Sequence, residues 1–525
     1  MSQLLNPLLG AEPPSFPLRV AAIDIGSNAV RFLAAEFSGR EAFRPLHYIR
    51  EPVRLGADAF HSGRLGDEVL DRAVAAMARF REAMDDLEVK SYRAVATSAV
   101  RDSENGADFV DRVWRECGIR VEAITGAEEA HLVWLAVRGR IDLGESDWVL
   151  VDLGGGSVEI SLVSGEGPAW SESHPLGTVR LLEELGELDG ESPARVRRRI
   201  EDHAAMLRIS AIARQVDAVG MVATGGNMEE LAGLTGARPD ARGVSRVGLV
   251  ALQSTIERLA ELTPRERVRE LGLREDRADV ILPAAIVYDR IARLLGVHQI
   301  LVPGVGVKDG LLLDTVDDLL EHGGHEARLE RETVTGATAL GRRYDFEAAH
   351  AEQVTRLSLL LFDQLRELHG LGDLDRRILL AAALLHDIGQ FVSYRRHHKH
   401  SYYLIVNSEL PAFTPRQILL VALVARYHRR GEPQDEHEGY ADLTRSERDV
   451  VDRLAAILRI ADALDREHEQ QVTDVVATVD GNELVLAVHG PGDLLPERWA
   501  VQRKAKLAER VFDLRVRFSI PGEDQ

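Results

Sequence analysis

Residues 20–37 read VAAIDIGSNAVRFLAAEF, two β-rich apolar runs joined at Gly26-Ser27-Asn28. Turn-forming residues between such runs predict a hairpin. From Trp148 the stretch WVLVDLGGGSVEISLVSG repeats the design, with Asp24 aligned to Asp152, Gly26 to Gly154, Val30 to Val158 and Arg31 to Glu159 without a gap. An internal repeat follows, each copy opening one lobe. Glycine is required where a chain turns with positive φ or admits a ligand to its backbone, and successive N–H groups of such a turn can cradle phosphate oxygens.

Between the copies, helical stretches (67–86 and 107–117) alternate with short apolar runs (92–97 and 121–124), the pattern of an α/β lobe. After the second copy, 192–216 and 249–262 read as helices, 222–227 (VATGGN) as a β-turn, and the lobe closes near 301–304. A linker at 322–325 leads into a segment of helical periodicity, and ten of the 18 histidines fall between His322 and His437. From about Gln471 alternation returns, with Asp480-Gly481 at a hairpin turn, and reads as a small α/β tail domain.

At 525 residues the chain has room for three or four domains. No apolar run approaches the roughly 20 residues that cross a bilayer, and the proline-bearing first eighteen residues lack the plan of a signal peptide. The only cysteine, Cys117, excludes an intrachain disulfide and fits a reducing compartment, so a cytoplasmic, membrane-free protein is expected. The net charge of −21 disfavours nucleic acid, and any anionic ligand must be held by local charge that overcomes the global field.

Asp24 and Asp152 each end a strand before a glycine-rich turn. Paired carboxylates beside phosphate-cradling loops suit Mg²⁺ arriving with substrate phosphates, and Glu159 can add an oxygen ligand. Ser27, Asn28 and the run Gly154-Gly155-Gly156-Ser157 supply the cradle. Arg101 follows Thr97 and Ser98, groups able to hydrogen-bond phosphate, and its planar guanidinium suits bidentate contact; a surface ion pair with Asp102 or Glu104 is the plainer reading. Arg31 and Arg54 are weaker candidates, and the basic stretch from Arg195 to Arg199 reads as a solvated helix face.

Five ordered motifs, IDIGSN (23–28), ATSAVR (96–101), TGAEEA (125–130), VDLGGGS (151–157) and ATGGN (223–227), resemble the exopolyphosphatase/guanosine pentaphosphatase (Ppx/GppA) family. The resemblance spans about residues 19–320 and implies the actin-like fold of the actin/hexokinase/Hsp70 superfamily, homodimerisation, and Mg²⁺-dependent removal of the terminal phosphate of polyphosphate or the 5′ γ-phosphate of pppGpp. By motif position Glu129 would be the general base that activates water, in preference to Glu128, and Gly225, Gly226 and Asn227 would bind phosphate or nucleoside. A water-activating glutamate favours hydrolysis over the sugar kinases of the same superfamily.

In the helical segment, His350, His386-Asp387, His400, His428 and Asp462 stand in an order that resembles HD-domain phosphohydrolases, a nitrogen and oxygen set suited to an additional divalent metal. The basic runs 395–400 and 429–430 suit guidance of a polyanion.

The expected architecture is therefore α/β: a disordered tail (1–18), actin-like lobe I (19–143), actin-like lobe II (144–322), an all-α HD-like domain (323–470) and a small α/β domain (471–525). The expected activity is Mg²⁺-dependent processive exopolyphosphatase. pppGpp hydrolysis in the same cleft, a non-catalytic alarmone or polyphosphate sensor, and HD-domain phosphohydrolysis are the alternatives.

Overall fold

The computed structural model describes residues 15–520 apart from 145, 166, 187–191, 210–219, 322–323, 409, 411 and 430. The chain divides into two compact units at residues 323/324.

In the first unit, β1 (Leu18–Ile25) and β2 (Val30–Phe37) form the expected hairpin, and β3 (Phe43–Glu51), β4 (Ser91–Ala96) and β5 (Glu122–Ala123) complete a five-stranded sheet of order β3-β2-β1-β4-β5. β6 (Trp148–Leu153) and β7 (Val158–Ser164) form the second hairpin. With β8 (Gly167–His174), β9 (Met221–Thr224), β10 (Ser245–Gly248) and β11 (Gln299–Val302) they build a sheet of order β10-β11-β9-β6-β7-β8. In both sheets a three-stranded antiparallel meander continues through the hairpin's first strand into a parallel neighbour (β4 or β9), so the repeat seen in the sequence is a repeat of topology.

Alternation along the strands explains the layering, because successive side chains point to opposite faces. Ala21, Ile23 and Ile25 of β1 join one apolar cluster with the Asp67–Asp86 helix, while Leu18, Val20 and Ala22 join another. Val149, Val151 and Leu153 of β6 face a third cluster, whereas Leu150 turns back into the second. That second cluster lies between the two sheets and is filled by the helices Gly126–Arg138 and Val307–Glu321. The latter helix, from the end of this unit, thus packs against the sheet that opens it.

The two central helices touch backbone to backbone. A Cβ added at Gly310 would collide with the Leu132 carbonyl oxygen. Gly310→Val is expected to destabilise the first unit by about 3 kcal/mol, read as a lower midpoint in urea.

The expected β-turn at 222–227 is instead a strand-to-helix junction: β9 runs into the helix Gly226–Leu234, and Gly225, at φ 95°, makes the change of direction. Of the expected helix at 192–216, Pro193–Ala204 is helical, and 210–216 lies outside the described residues. β1 begins at Leu18, one residue inside the expected tail, whose residues 1–14 also lie outside. Of the linker at 322–325, residues 322 and 323 lie outside, and Gly324 and His325 open a helix, Gly324–Arg343.

In the second unit the helices Ala348–Gln364, Asp373–Leu385, His397–Val406, Pro415–Arg426 and Arg445–Ala463 pack around one apolar cluster. The hairpin β12 (Asp474–Asp480) and β13 (Glu483–His489) turns at Gly481, with φ 58°, and β14 (Arg515–Ser519) joins its edge. Val475, Leu484, Leu486 and Phe518 belong to the same cluster as the helices, so strands and helices share a core. Among the described residues no helix is long and apolar enough to cross a membrane.

Candidate active site

The turns of both hairpins line a cleft of about 250 Å³ in the first unit. They are built alike: Gly26 N–H donates to the Ala29 carbonyl at 3.2 Å and Gly154 N–H to the Ser157 carbonyl at 3.0 Å. Ser27, Asn28, Thr97, Ser98, Gly154, Gly155, Ser157, Gly225, Gly226 and Asn227 all face the cleft, together with Asp24, Asp152 and Glu129. Gly225 to Asn227 form the start of a nine-residue helix, where free backbone N–H groups favour an anion.

Gly156 and Arg101, both expected to hold phosphate, are not in the lining. Gly156 is packed against the other lobe: a Cβ there would strike Phe60 and Ser98, and its carbonyl accepts from Arg180 Nε at 2.8 Å. Arg101 sits behind Glu129, with Nη1 at 3.9 Å from Glu129 Oε2 and 3.0 Å from the Ile124 carbonyl, and it also pairs with Asp102 as the plainer reading had it.

The cluster of carboxylates differs from the expected one. Ligand oxygens of Glu129, Asp152 and Glu159 lie within 4.8 Å of one another, whereas Asp24 is engaged by Arg31, its cross-strand neighbour, at 2.7 Å. Asp152 accepts from Thr224 Oγ1 at 2.7 Å, and Glu159 Oε1 accepts from Ser173 Oγ at 2.9 Å. The outer oxygens, Glu129 Oε2 and Glu159 Oε2, are buried without a hydrogen-bond partner. Oxygen donors in this state fit a hard divalent cation. Glu128, by contrast, faces Arg93 at 3.3 Å, within a buried ion cluster that also takes in Glu122 and Asp314.

Burial first, then the charge of Glu159, pushes Glu129 well above the usual carboxylate range. Burial, then Asp152, pushes Glu159 up to about 7 from an ordinary 4.5. A carboxyl whose folded pKa lies above its unfolded one favours folding fully below the unfolded value and loses that contribution as pH rises through the folded value. The metal-free protein is therefore expected to melt at lower temperature as pH is raised from 5 to 8 in excess chelator. Glu159→Gln should remove about 3 °C or more of that fall, a comparison made by calorimetry.

A cationic wall also lines the cleft: Arg31, a weaker candidate in the sequence, and Arg50, Arg274, Arg277 and Lys308, which the sequence did not single out. Arg277 donates to Asn227 Oδ1 at 2.6 Å, and burial, then the neighbouring Arg31, Arg50 and Arg274, depress it to about 10. Arg50 pairs with Asp276 and Lys308 with Asp309. Arg54 is committed to Asp279 at 2.6 Å. Crowding of guanidinium groups to the point of mutual destabilisation is relieved by a bound anion.

In the second unit, His350, His386 and Asp462 offer ligand atoms within 4.8 Å of one another, as do Asp387, His397 and His428. His400 belongs to neither group and is half-buried; His397, the first residue of its helix and 2% exposed, stands where His400 was expected. His468 stacks flat on His350 at 3.6 Å between ring centroids.

The model of the Ppx/GppA phosphatase family matches residues 34–319, and that of Ppx/GppA phosphatase, domain III, matches residues 331–498. Over 502 residues the chain is 27% identical to a guanosine-5′-triphosphate,3′-diphosphate pyrophosphatase of Aeromonas hydrophila, covering 94% of this chain and 96% of that protein. Among solved structures, an exopolyphosphatase from Cytophaga hutchinsonii superposes with a TM-score of 0.53 at 24% identity, over 57% of this chain and 98% of its own. An exopolyphosphatase-like protein does so with a TM-score of 0.50 at 25% identity, over 57% and 97%. The shared fold is the actin-like pair of lobes.

Proposed function

On the premise that the chain belongs to the Ppx/GppA phosphatase family, whose members are phosphoanhydride hydrolases, we propose that it is an exopolyphosphatase, releasing phosphate processively from the end of inorganic polyphosphate. The observation that carries this reading is that five cations line the same cleft as the buried Glu129 and Asp152, with the buried Glu159 within 4.8 Å of both. A single phosphate does not need so much positive charge; a chain of phosphates does. The acidic excess of the whole chain is no obstacle, because surface charges are screened beyond about 10 Å whereas the cleft is local.

Asp152 and Glu159 would hold Mg²⁺, which neutralises charge on the terminal phosphates when bound. Glu129 takes a proton from the attacking water, whose oxygen bonds to the terminal phosphorus as the P–O anhydride bond breaks. Turn N–H groups at Ser27-Asn28 and at Gly154, Gly155 and Ser157 hold the phosphoryl oxygens, and the arginines with Lys308 hold the departing chain, one phosphate shorter. Asp24, paired with Arg31, orients that guanidinium instead of binding the metal. The homodimer implied by the resemblance and the cytoplasmic location expected from composition belong to the same proposal.

The name carried by the Aeromonas relative makes pppGpp the second substrate to measure. The test of the cationic wall is Arg277→Met, which is expected to raise KM for polyphosphate about tenfold with kcat changed less than about threefold. Unchanged KM would remove Arg277 from the binding surface.

A further inference from the structure

We propose that Asp276 competes with the substrate for Arg50, so that the grip of the cleft on a phosphate chain is set by the exchange of a carboxylate for a phosphate on one guanidinium. The identity of that chain rests on the exopolyphosphatase reading above; the exchange itself rests on the side chains.

Arg50 lies on β3 and Asp276 on the short helix Glu275–Ala278, so the pair joins the two lobes. Both side chains are nearly buried, 10% and 13% exposed. One hydrogen bond joins them, donated by Arg50 Nη2 to Asp276 Oδ2, and Arg50 Nε is buried without a partner. A guanidinium carries five N–H donors and is best matched by a fork of two oxygens. Arg50 is therefore held short of its capacity, and its side chain lines the cleft while Asp276 is not in the lining. Phosphate offers the same fork of oxygens as a carboxylate, and two anions cannot share one edge of a guanidinium.

The aspartate is placed to yield. Its backbone is fixed independently of its side chain, because Asn28 Nδ2 donates to the Asp276 carbonyl at 3.3 Å. Its other carboxylate oxygen, Oδ1, lies 3.9 Å from Arg274 Nε, a second cation to which the group can turn without moving the helix. The local charge balance favours such an exchange. Burial, then Arg31, Arg50 and Arg274, press Arg277 down, and Asp276 is the carboxylate that opposes them. A phosphate arriving at Arg50 supplies the negative charge that the aspartate withdraws.

The exchange bears on how a chain moves. After each cleavage the chain must advance by one phosphate to present its new end, so every arginine contact has to break and form again. A carboxylate that can retake Arg50 lowers the cost of that break. A second pair, Arg54 with Asp279 at 2.6 Å, joins the same two segments, yet neither residue lines the cleft. It provides the control, since it ties the lobes together without touching the path of the substrate.

The test measures binding by calorimetry in Mg²⁺, with the full chain carrying Glu129→Gln so that the ligand is not consumed. The probes are long polyphosphate and pyrophosphate, whose two phosphates are taken up by the turns. Adding Asp276→Asn is expected to tighten long polyphosphate at least about fivefold and pyrophosphate less than about twofold. Asp279→Asn should change neither by more than about twofold, and the gain from Asp276→Asn should vanish when Arg50 is also replaced by Met. Asp276→Ser serves the same comparison if the Asn variant does not fold. Unchanged or weaker binding of polyphosphate would overturn the proposal, because Asp276 would then merely orient Arg50. Equal tightening of both ligands, or an equal gain from Asp279→Asn, would overturn it as well, showing a general charge effect or loosened lobes. Failure of the exopolyphosphatase reading is seen separately, as absence of phosphate release from polyphosphate by the parent chain.

Discussion

Replacing Glu129 by Gln is expected to slow phosphate release from polyphosphate by about 10³-fold, with KM changed less than about threefold. The amide keeps the shape of the side chain and the start of its helix, where the Thr125 hydroxyl accepts from the Glu128 N–H, but cannot take the proton of water. Burial and Glu159 already hold the Glu129 carboxyl well above its ordinary pKa, which makes it a stronger base than an exposed carboxylate. The same burial makes the substitution harmless to folding, since an uncharged amide replaces a group whose ionised form the site penalises. A melting temperature in chelator equal to or above the parent's, together with lost turnover, separates lost chemistry from lost structure. Glu128→Gln should instead disturb the buried ion cluster around Arg93 and lower stability more than kcat.

Asp152→Asn is expected to lower the rate at ordinary Mg²⁺ by about 10²-fold and to raise the Mg²⁺ concentration for half-maximal activity at least about tenfold. Asp152 is held by Thr224 and shares its surroundings with Glu159, whose outer oxygen is buried and unpartnered. Removing one of the negative charges weakens the cation's hold without removing the other carboxylates. Excess Mg²⁺ should therefore rescue Asp152→Asn in part and Glu129→Gln not at all, and excess chelator should abolish the parent's activity. Titration of rate against Mg²⁺ for the three proteins reads this directly. Equal rescue of both variants would mean that Glu129 is a metal ligand and not the base.

What could be read along the chain was local. The two hairpins and the carboxylate ending the first strand of each follow from spacing over fewer than twenty residues, and they formed with Asp24 opposite Arg31 and Asp152 opposite Glu159. That pairing is also why Asp24 leaves the metal cluster: a cross-strand arginine satisfies it, whereas the second hairpin places a glutamate at the same register. Arg50, Arg274, Arg277 and Lys308 carry no local mark, because β3, the short helix Glu275–Ala278 before the buried Ile281–Leu294 helix and the start of the Val307–Glu321 helix meet only when the lobes assemble. The choice of His397 over His400 depends on where a helix begins, which three histidines within four positions do not disclose. Gly156 looked like part of a phosphate loop because the run of glycines is continuous, yet it serves the close approach of the two lobes.

The most direct test supplies the parent chain with long polyphosphate and pppGpp together, in Mg²⁺, and resolves the products. The account predicts release of orthophosphate from polyphosphate with the remaining chains still long, and none from either substrate with Glu129→Gln. Conversion of pppGpp while polyphosphate stays intact would contradict it.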